Sequence, residues 1–152
     1  MHERRLAHTD RPTPKTGLAA KFSVQFLVCK TLLNGTIRLE DFSDETFITP
    51  DIDALLKRVT ATSHTDSDEY LACVRVVLND GKVLEGRAST PLGRGADHPM
   101  SDGEIEAKFL DCTSGVLGAS TARRLLKTLM NLEKVGQMEK ITRSLRPERA
   151  AR

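Results

Sequence analysis

The longest run of apolar residues at helical spacing lies between Thr16 and Gly35. Its large side chains recur every three or four positions, which predicts one face of an amphipathic α-helix. The residues of this stripe are Leu18, Phe22, Phe26, Cys29 and Leu33. Gly35 suits the left-handed conformation that ends many helices, and Pro12 and Pro14 close the other side because proline cannot continue a helix. We therefore predict that this helix is the central core element.

The segments before and after this predicted helix show weaker hydrophobic patterns. Residues 1–15 are charged and interrupted by proline, so an extended or poorly ordered start is expected. Thr49 followed by Pro50 predicts a second helix, because threonine caps helix N-termini and proline suits the first helical position. Its apolar positions are Ile52, Leu55, Leu56 and Val59.

Two β-strands are predicted in the middle of the chain. Residues 70–78 are mostly apolar and rich in β-branched valine, which predicts the first strand. Residues 82–90 are predicted to form its antiparallel partner. Between them, Asn79, Asp80 and Gly81 predict a hairpin turn, since this sequence tolerates positive φ angles. A two-stranded hairpin is marginal alone, so we expect a third strand near residues 59–62.

The C-terminal third is predicted to be helical. Ser101 and Glu104 form a capping box, and Gly118 should end the helix that they begin. A second helix follows Ser120, and a short one precedes Pro147. Their apolar positions are Ile105, Phe109, Cys112, Val116, Leu125, Leu129 and Leu132. The order of elements predicts an α+β fold, with a small antiparallel sheet, helices on one of its faces and a C-terminal helical segment.

Composition narrows the possible partners and location. The net charge of +2 is too small to indicate nucleic acid or an anionic membrane as a partner. No apolar run approaches the ~20 residues of a membrane span, and no secretory signal opens the sequence, so a cytoplasmic location is expected. Cys29, Cys73 and Cys112 are odd in number and lie in apolar patterns, which favours free buried thiols in a reducing compartment.

Sequence motifs of the common catalytic and metal sites are missing. The four histidines are isolated in sequence, without a second ligand at metal-binding spacing, and there is no nucleotide-binding or nucleophile-elbow motif. We therefore assign no catalytic residue and no metal. Gly93, Arg94 and Gly95 could present backbone amides and a guanidinium to an anion, although such a motif is more often a flexible turn.

Lys21 and Ser23 are the candidate substrate-binding residues. Both lie near the start of the predicted main helix and off its apolar stripe. A lysine and a hydroxyl beside free helix N-terminal amides would make a corner that binds a carboxylate. A solvated lysine beside a helix-capping serine is the competing interpretation.

Several segments in order resemble the C-terminal half of the MmgE/PrpD family, which includes 2-methylcitrate dehydratase, cis-aconitate decarboxylase and iminodisuccinate epimerase. The resemblance covers roughly residues 11–145. It rests on Arg11-Pro12, Ala20-Lys21-Phe22-Ser23, Leu32-Leu33-Asn34-Gly35, Asp41-Phe42-Ser43-Asp44, Asn79-Asp80-Gly81, Pro99-Met100-Ser101-Asp102 and Lys108-Phe109. A tyrosine expected before Arg11 in one branch of the family has no counterpart here, and His8 is the nearest polar residue.

The resemblance implies how the chain is organised. Residues 1–98 correspond to part of a small α/β domain that covers the active site. Residues 99–152 correspond to helices that return to a large helical domain, which carries most of the catalytic residues and has no counterpart in this sequence. The family reactions use small di- or tricarboxylates and no metal or organic cofactor.

Three functional classes follow from this organisation. The chain is part of a dehydratase, decarboxylase or epimerase that is inactive alone, a non-catalytic interaction or carboxylate-binding module, or a decayed gene remnant. In the first case the expected partner is a separate helical subunit or a second copy of the chain, as in a dimer.

Overall fold

The computed structural model describes residues 1–145 and separates the chain into two units, Met1–Pro99 and Met100–Arg152. The first unit contains four α-helices, one 3-10 helix and a two-stranded sheet. In chain order these are α1 (Glu3–Thr9), α2 (Gly17–Lys21), α3 (Val24–Asn34), the 3-10 helix Leu39–Phe42, α4 (Pro50–Leu56), β1 (Ala72–Val77) and β2 (Val83–Ala88). The α+β class predicted from the sequence is confirmed.

The predicted main helix is in fact two helices, because the chain breaks at Phe22 and Ser23. Ser23 has extended backbone angles and caps α3 by accepting a hydrogen bond from the Phe26 backbone N–H. The break divides the predicted apolar stripe. Phe26 and Cys29 are fully buried, whereas Leu18, on α2, is exposed. The prediction of one continuous helix was therefore wrong, while the left-handed cap at Gly35 is confirmed.

Phe26 lies at the centre of the core of the first unit. Its ring centroid is 5.8 Å from that of Phe42 and 6.1 Å from that of Phe47. The residues buried around it are Ala20, Cys29, Phe47, Ile52 and Leu56. Burial raises the pKa of the Cys29 thiol above its usual value. The other two cysteines are free but exposed, so the expectation of three buried thiols holds only for Cys29.

Gly17 permits a close approach between α2 and the 3-10 helix. A Cβ atom at this position would lie 1.8 Å from the Phe42 carbonyl oxygen, which is far inside van der Waals contact. The Gly17 backbone N–H also donates to the Asp44 carboxylate. Only glycine can therefore begin α2 at this distance from Phe42.

Residues 1–15 are not the extended start that the sequence suggested, because α1 forms within them. The His64 N–H donates to the Met1 carbonyl at 3.0 Å, and the Glu3 N–H donates to the His64 carbonyl at 3.1 Å. Arg4 also forms an ion pair with Glu69, with an N–O distance of 2.8 Å. These contacts join positions more than sixty residues apart, so no local pattern indicated them.

The hairpin is confirmed, and the third strand is not. β1 and β2 pair antiparallel in continuous register from Ala72 opposite Ala88 to Val77 opposite Val83, and Gly81 adopts a φ of 83° in the turn. Among the described residues the sheet has two strands. Residues 59–62 stay outside it, and the following His64 bridges to His2 at the N-terminus instead.

The second unit consists of helices. In chain order it contains α5 (Asp102–Leu117), α6 (Ala119–Leu129), the 3-10 helix Leu132–Lys134 and α7 (Glu139–Ser144). The capping box of Ser101 and Glu104 is confirmed, and its hydrogen bonds lower the pKa of Glu104. Leu117, Leu125 and Ile141 form the core of this unit. Pro147 lies outside the described residues.

An ion pair between Lys30 and Asp41 ties α3 to the 3-10 helix. The two charged atoms are 2.9 Å apart, and each side chain is only 12% exposed. Burial by itself would raise the pKa of the Asp41 carboxyl. Hydrogen bonds from the Arg38 backbone N–H and the Lys30 ammonium, with the charges of both residues, outweigh burial and hold this pKa below its usual value.

We predict that Asp41→Asn destabilises the protein by about 1.5–3 kcal/mol at pH 7, because Lys30 then loses its charged partner. A depressed pKa stabilises the fold above the unfolded pKa, and this stabilisation is lost as the pH falls through the folded value. The difference from the parent should therefore shrink below about pH 4. Urea unfolding at pH 7 and at pH 3 measures both effects.

Asp53→Asn is the matched control, because Asp53 pairs with Lys57 on the surface with both side chains more than half exposed. Its effect should stay below about 0.5 kcal/mol. An Asp41→Asn effect of the same size as this control would contradict the prediction.

Candidate functional site

The junction between α2 and α3 holds both substrate-binding residues predicted from the sequence. Lys21 is the last residue of α2, and Ser23 is the N-cap of α3. They therefore lie at the end of one helix and the start of the next, rather than together in the first turn of one helix. The structure keeps them close but gives them different surroundings.

Ser23 is fully buried, and its hydroxyl has two partners. Its Oγ donates to the Arg11 carbonyl at 2.6 Å and accepts from the Phe26 backbone N–H, with an N–O distance of 3.0 Å. A ligand could bind this oxygen only by displacing Arg11. The hydroxyl therefore holds the junction together beneath the surface.

Gln25 joins the same segment to α3 from a neighbouring buried position. Its amide nitrogen donates to the Asp10 carboxylate at 2.6 Å, and its amide oxygen accepts from the Arg11 backbone N–H at 3.2 Å. Since Ser23 and Gln25 together bind both polar groups of the Arg11 backbone, this residue is fixed against the start of α3. We refer to Asp10, Arg11, Ser23 and Gln25 as the polar lock.

Lys21 is exposed, and its ammonium lies 5.5 Å from the centroid of the Phe42 ring. This distance allows a cation–π interaction, and a lysine in the last turn of a helix also complements the helix dipole. Neither interaction is a hydrogen bond of the ammonium.

Arg11 is a functional candidate that the sequence analysis did not assign. Its guanidinium lies 5.6 Å from the centroid of the Phe22 ring, directly after Lys21 in the chain. In the sequence Arg11 is part of the Arg11-Pro12 motif, but its place beside α3 depends on the polar lock. Arg11 lies over the Phe22 ring and Lys21 over the Phe42 ring, and we call these two basic residues of the α2–α3 junction the basic corner.

The basic corner carries two cationic side chains, a guanidinium and an ammonium. A guanidinium and an ammonium are suited to a carboxylate, and the N-terminal amides of α3 add positive potential. The only thiol in this core, Cys29, is buried and has a raised pKa, which disfavours its reactive thiolate form.

The structure pairs two histidines that are isolated in the sequence. The rings of His2 and His64 meet edge to face with centroids 5.8 Å apart. Within residues 1–145, no group of three or more histidine, cysteine or acidic side chains could hold a metal ion. Over the same range, no helix has both the length and the apolar character that crossing a membrane requires.

Three known proteins are similar to this chain over most of its length. Cis-aconitate decarboxylase of Mus musculus is 28% identical to this chain, and the match covers 91% of the chain and 29% of the relative. Cis-aconitate decarboxylase of Homo sapiens is 29% identical, and the match covers 91% of the chain and 30% of the relative. A cis-aconitate decarboxylase-like protein of Aspergillus oryzae is 24% identical over 84% of the chain and 26% of its own length. The chain thus spans less than a third of each relative.

The family comparison agrees with the resemblance found in the sequence motifs. The profile of the MmgE/PrpD C-terminal domain matches residues 1–134, which include the polar lock, the basic corner and the hairpin. This match covers far more than half of the chain. The chain therefore belongs to the MmgE/PrpD C-terminal domain family.

Proposed function

We propose that this chain is the C-terminal part of an enzyme that acts on a small di- or tricarboxylate, of the class that includes 2-methylcitrate and cis-aconitate. The reaction is a dehydration, decarboxylation or epimerisation, and residues 1–152 do not perform it alone. The family match over residues 1–134 is the observation that carries this proposal. The mouse and human relatives are cis-aconitate decarboxylases, which supports a carboxylate substrate.

In the proposed enzyme, this chain contributes to substrate binding through the basic corner. Lys21 and Arg11 contact a substrate carboxylate from the side of the C-terminal domain, while groups of the large helical domain carry out the proton transfers. Ser23 contributes by keeping Arg11 in place. A cytoplasmic location is part of the proposal, and the three free cysteines are consistent with a reducing compartment.

The sheet supports the proposal that another polypeptide region packs on the first unit. Side chains of directly paired residues share a face, so the register places an uninterrupted set of nonpolar residues on one side of the hairpin. These are Ala72, Val74, Val76, Leu84, Gly86 and Ala88. The other face carries the ion pair of Arg75 and Glu85.

The apolar face of the sheet is partly open to solvent in this chain, since Val74 and Leu84 are 40% and 45% exposed. Covering a large apolar side chain contributes about 1.5–3 kcal/mol when burial is complete. We propose that the remaining part of an MmgE/PrpD-type enzyme covers this face, whether it belongs to the same polypeptide or to a separate subunit. Without it, two copies of the chain associate through the same face.

We predict that residues 1–152 self-associate in a concentration-dependent manner and that Leu84→Glu weakens this association at least tenfold, because it places a charge on the apolar face. Val83→Glu is the matched control. Val83 adjoins Leu84 in β2, is 41% exposed and points to the opposite face. Light scattering over a concentration series measures the effect. A monomeric parent chain, or equal effects of the two variants, would rule the interface out.

The purified chain should not turn over 2-methylcitrate, cis-aconitate or iminodisuccinate, because its described part offers no exposed pair of catalytic acid and base at the basic corner. Adding the large helical domain of a family member should produce turnover of at least one of the three. Product formation is followed by chromatography. Turnover by the chain alone would contradict the proposed division of roles, and carboxylate binding without turnover in the combined protein would favour a non-catalytic module.

In that combined enzyme, Lys21→Ala should lower kcat/KM about tenfold or more, since a charge-assisted hydrogen bond typically contributes about 1.5–3 kcal/mol. Lys57→Ala is the control, because Lys57 lies in the same unit and pairs with Asp53 on the surface. Steady-state kinetics of both variants provide the test. Unchanged kinetics for Lys21→Ala would mean that Lys21 is a solvated lysine with no role in substrate binding.

A further inference from the structure

The contact between α1 and residues 62–71 is made by backbone groups and by two histidine rings. His2 and His64 form a parallel bridge, in which the His64 N–H donates to the Met1 carbonyl and the Glu3 N–H donates to the His64 carbonyl. The rings of His2 and His64 also contact each other edge to face, and His2 is only 8% exposed. We propose that these two histidines form a pH-sensitive switch, which holds α1 against residues 62–71 while both rings are neutral and releases it when they bind protons.

The His2 ring is used in its neutral form. Its Nδ1 accepts a hydrogen bond from the Arg4 backbone N–H, with an N–N distance of 3.3 Å, and thereby caps α1. Only an unprotonated ring nitrogen can accept a hydrogen bond. Protonation turns Nδ1 into a donor that faces another donor, and it places a positive charge at the N-terminal end of the helix dipole. Charging His2 therefore removes the cap of α1.

The His64 ring is fixed in one neutral tautomer. Its Nδ1 accepts from the Asp66 backbone N–H at 3.3 Å, so the proton of the neutral ring is on Nε2, which donates to the Leu71 carbonyl at 2.9 Å. A second proton, on Nδ1, breaks the contact with Asp66. Both histidines thus use Nδ1 to accept from the backbone N–H two residues later in the chain.

Two charged rings would have no compensating partner at this contact. Protonation of both places like charges on rings whose centroids are 5.8 Å apart. Among residues 1–145, no carboxylate lies within ion-pair distance of either ring, and the Glu69 carboxylate is already paired with Arg4 at 2.8 Å. The other charged and titratable groups of the two segments are the Met1 ammonium, Glu3, Arg5, His8, Asp66, Asp68 and Tyr70, with Arg94 over the Tyr70 ring. The contact therefore disfavours protonated rings.

The direction of the pH effect follows from these contacts. The segment held against residues 62–71 binds fewer protons than the released segment, so the contact weakens as the pH falls. Histidine is the side chain that ordinarily changes its charge between about pH 5 and pH 8. No residue of α1 is buried, and a helix of seven residues is too short to be stable by itself. Release therefore unfolds α1 as far as the polar lock, which begins at Asp10.

Amide hydrogen exchange of the full chain measures this release. The protection factors of α1, which correct for the intrinsic effect of pH on exchange, should fall about tenfold or more between pH 8 and pH 5, because one titrating group changes an equilibrium by up to about tenfold per pH unit. The amides of α3 should keep their protection, since Phe26 and Cys29 on this helix are fully buried. Unchanged protection of α1 would overturn the proposal. An equal loss in α3 would also overturn it, because the whole unit would then be unfolding.

Proton NMR of the histidine rings shows whether these two side chains cause the release. In the parent chain, protonation of His2 and His64 should run parallel to the loss of α1 protection. His8 and His98 are exposed and serve as reference rings. Protonation of both His2 and His64 while α1 stays protected would contradict the switch, and this measurement needs no substitution.

His2→Asn removes one titrating ring but keeps a cap, because the asparagine oxygen accepts from helix N-terminal amides and does not titrate. The loss of α1 protection between pH 8 and pH 5 should be smaller than in the parent by about threefold or more, since one proton fewer is linked to the release. If α1 is unprotected in this variant already at pH 8, the ring titration of the parent chain decides.

His8→Gln is the matched control, because His8 is exposed and lies in the last turn of the same helix. Its α1 should respond to pH as that of the parent does. An undiminished response in His2→Asn, or the same reduction in His8→Gln, would overturn the proposal.

Discussion

The arrangement of the first unit depends on the buried hydroxyl of Ser23. This one oxygen donates to the Arg11 carbonyl and accepts from the Phe26 N–H, so it ends the extended segment, starts α3 and places the Phe26 ring in the core. A buried hydroxyl without partners would cost free energy, and here both its donor and its acceptor capacity are used. Gln25 reinforces the contact through the Arg11 N–H. The packing of Phe26 and the position of Arg11 therefore follow from the same residue.

The polar lock connects the stability of the unit with its proposed role. The Arg11 backbone is fixed by Ser23 and Gln25, and its guanidinium lies over the Phe22 ring, whereas the Lys21 ammonium lies over the Phe42 ring. The Lys30–Asp41 pair and the close approach at Gly17 hold the 3-10 helix against the same helices. The apolar face of the hairpin, by contrast, is partly exposed, as the proposed packing of another polypeptide region on it requires.

The sequence by itself determined those features whose cause lies within a few residues. The turn at Gly81, the caps at Gly35 and Thr49, and the capping box of Ser101 and Glu104 all formed as predicted. Each depends on one side chain or one φ angle acting on its immediate neighbours, so local spacing is sufficient evidence. The ordered motifs also identified the family, since their spacing along the chain does not depend on knowledge of contacts.

Only the tertiary structure decided features that depend on distant partners. At the helix break, the Ser23 hydroxyl donates to the Arg11 carbonyl twelve residues earlier, and the start of α1 is joined to the backbone of His64 through Met1 and Glu3. Residues 59–62, which precede the bridge between His64 and His2, lie outside the two-stranded sheet. Folding also brought Arg11 over the Phe22 ring and Lys21 over the Phe42 ring. Local periodicity indicates which residues can share one face of a helix or strand. It does not indicate which distant backbone group or aromatic ring will pack against that face.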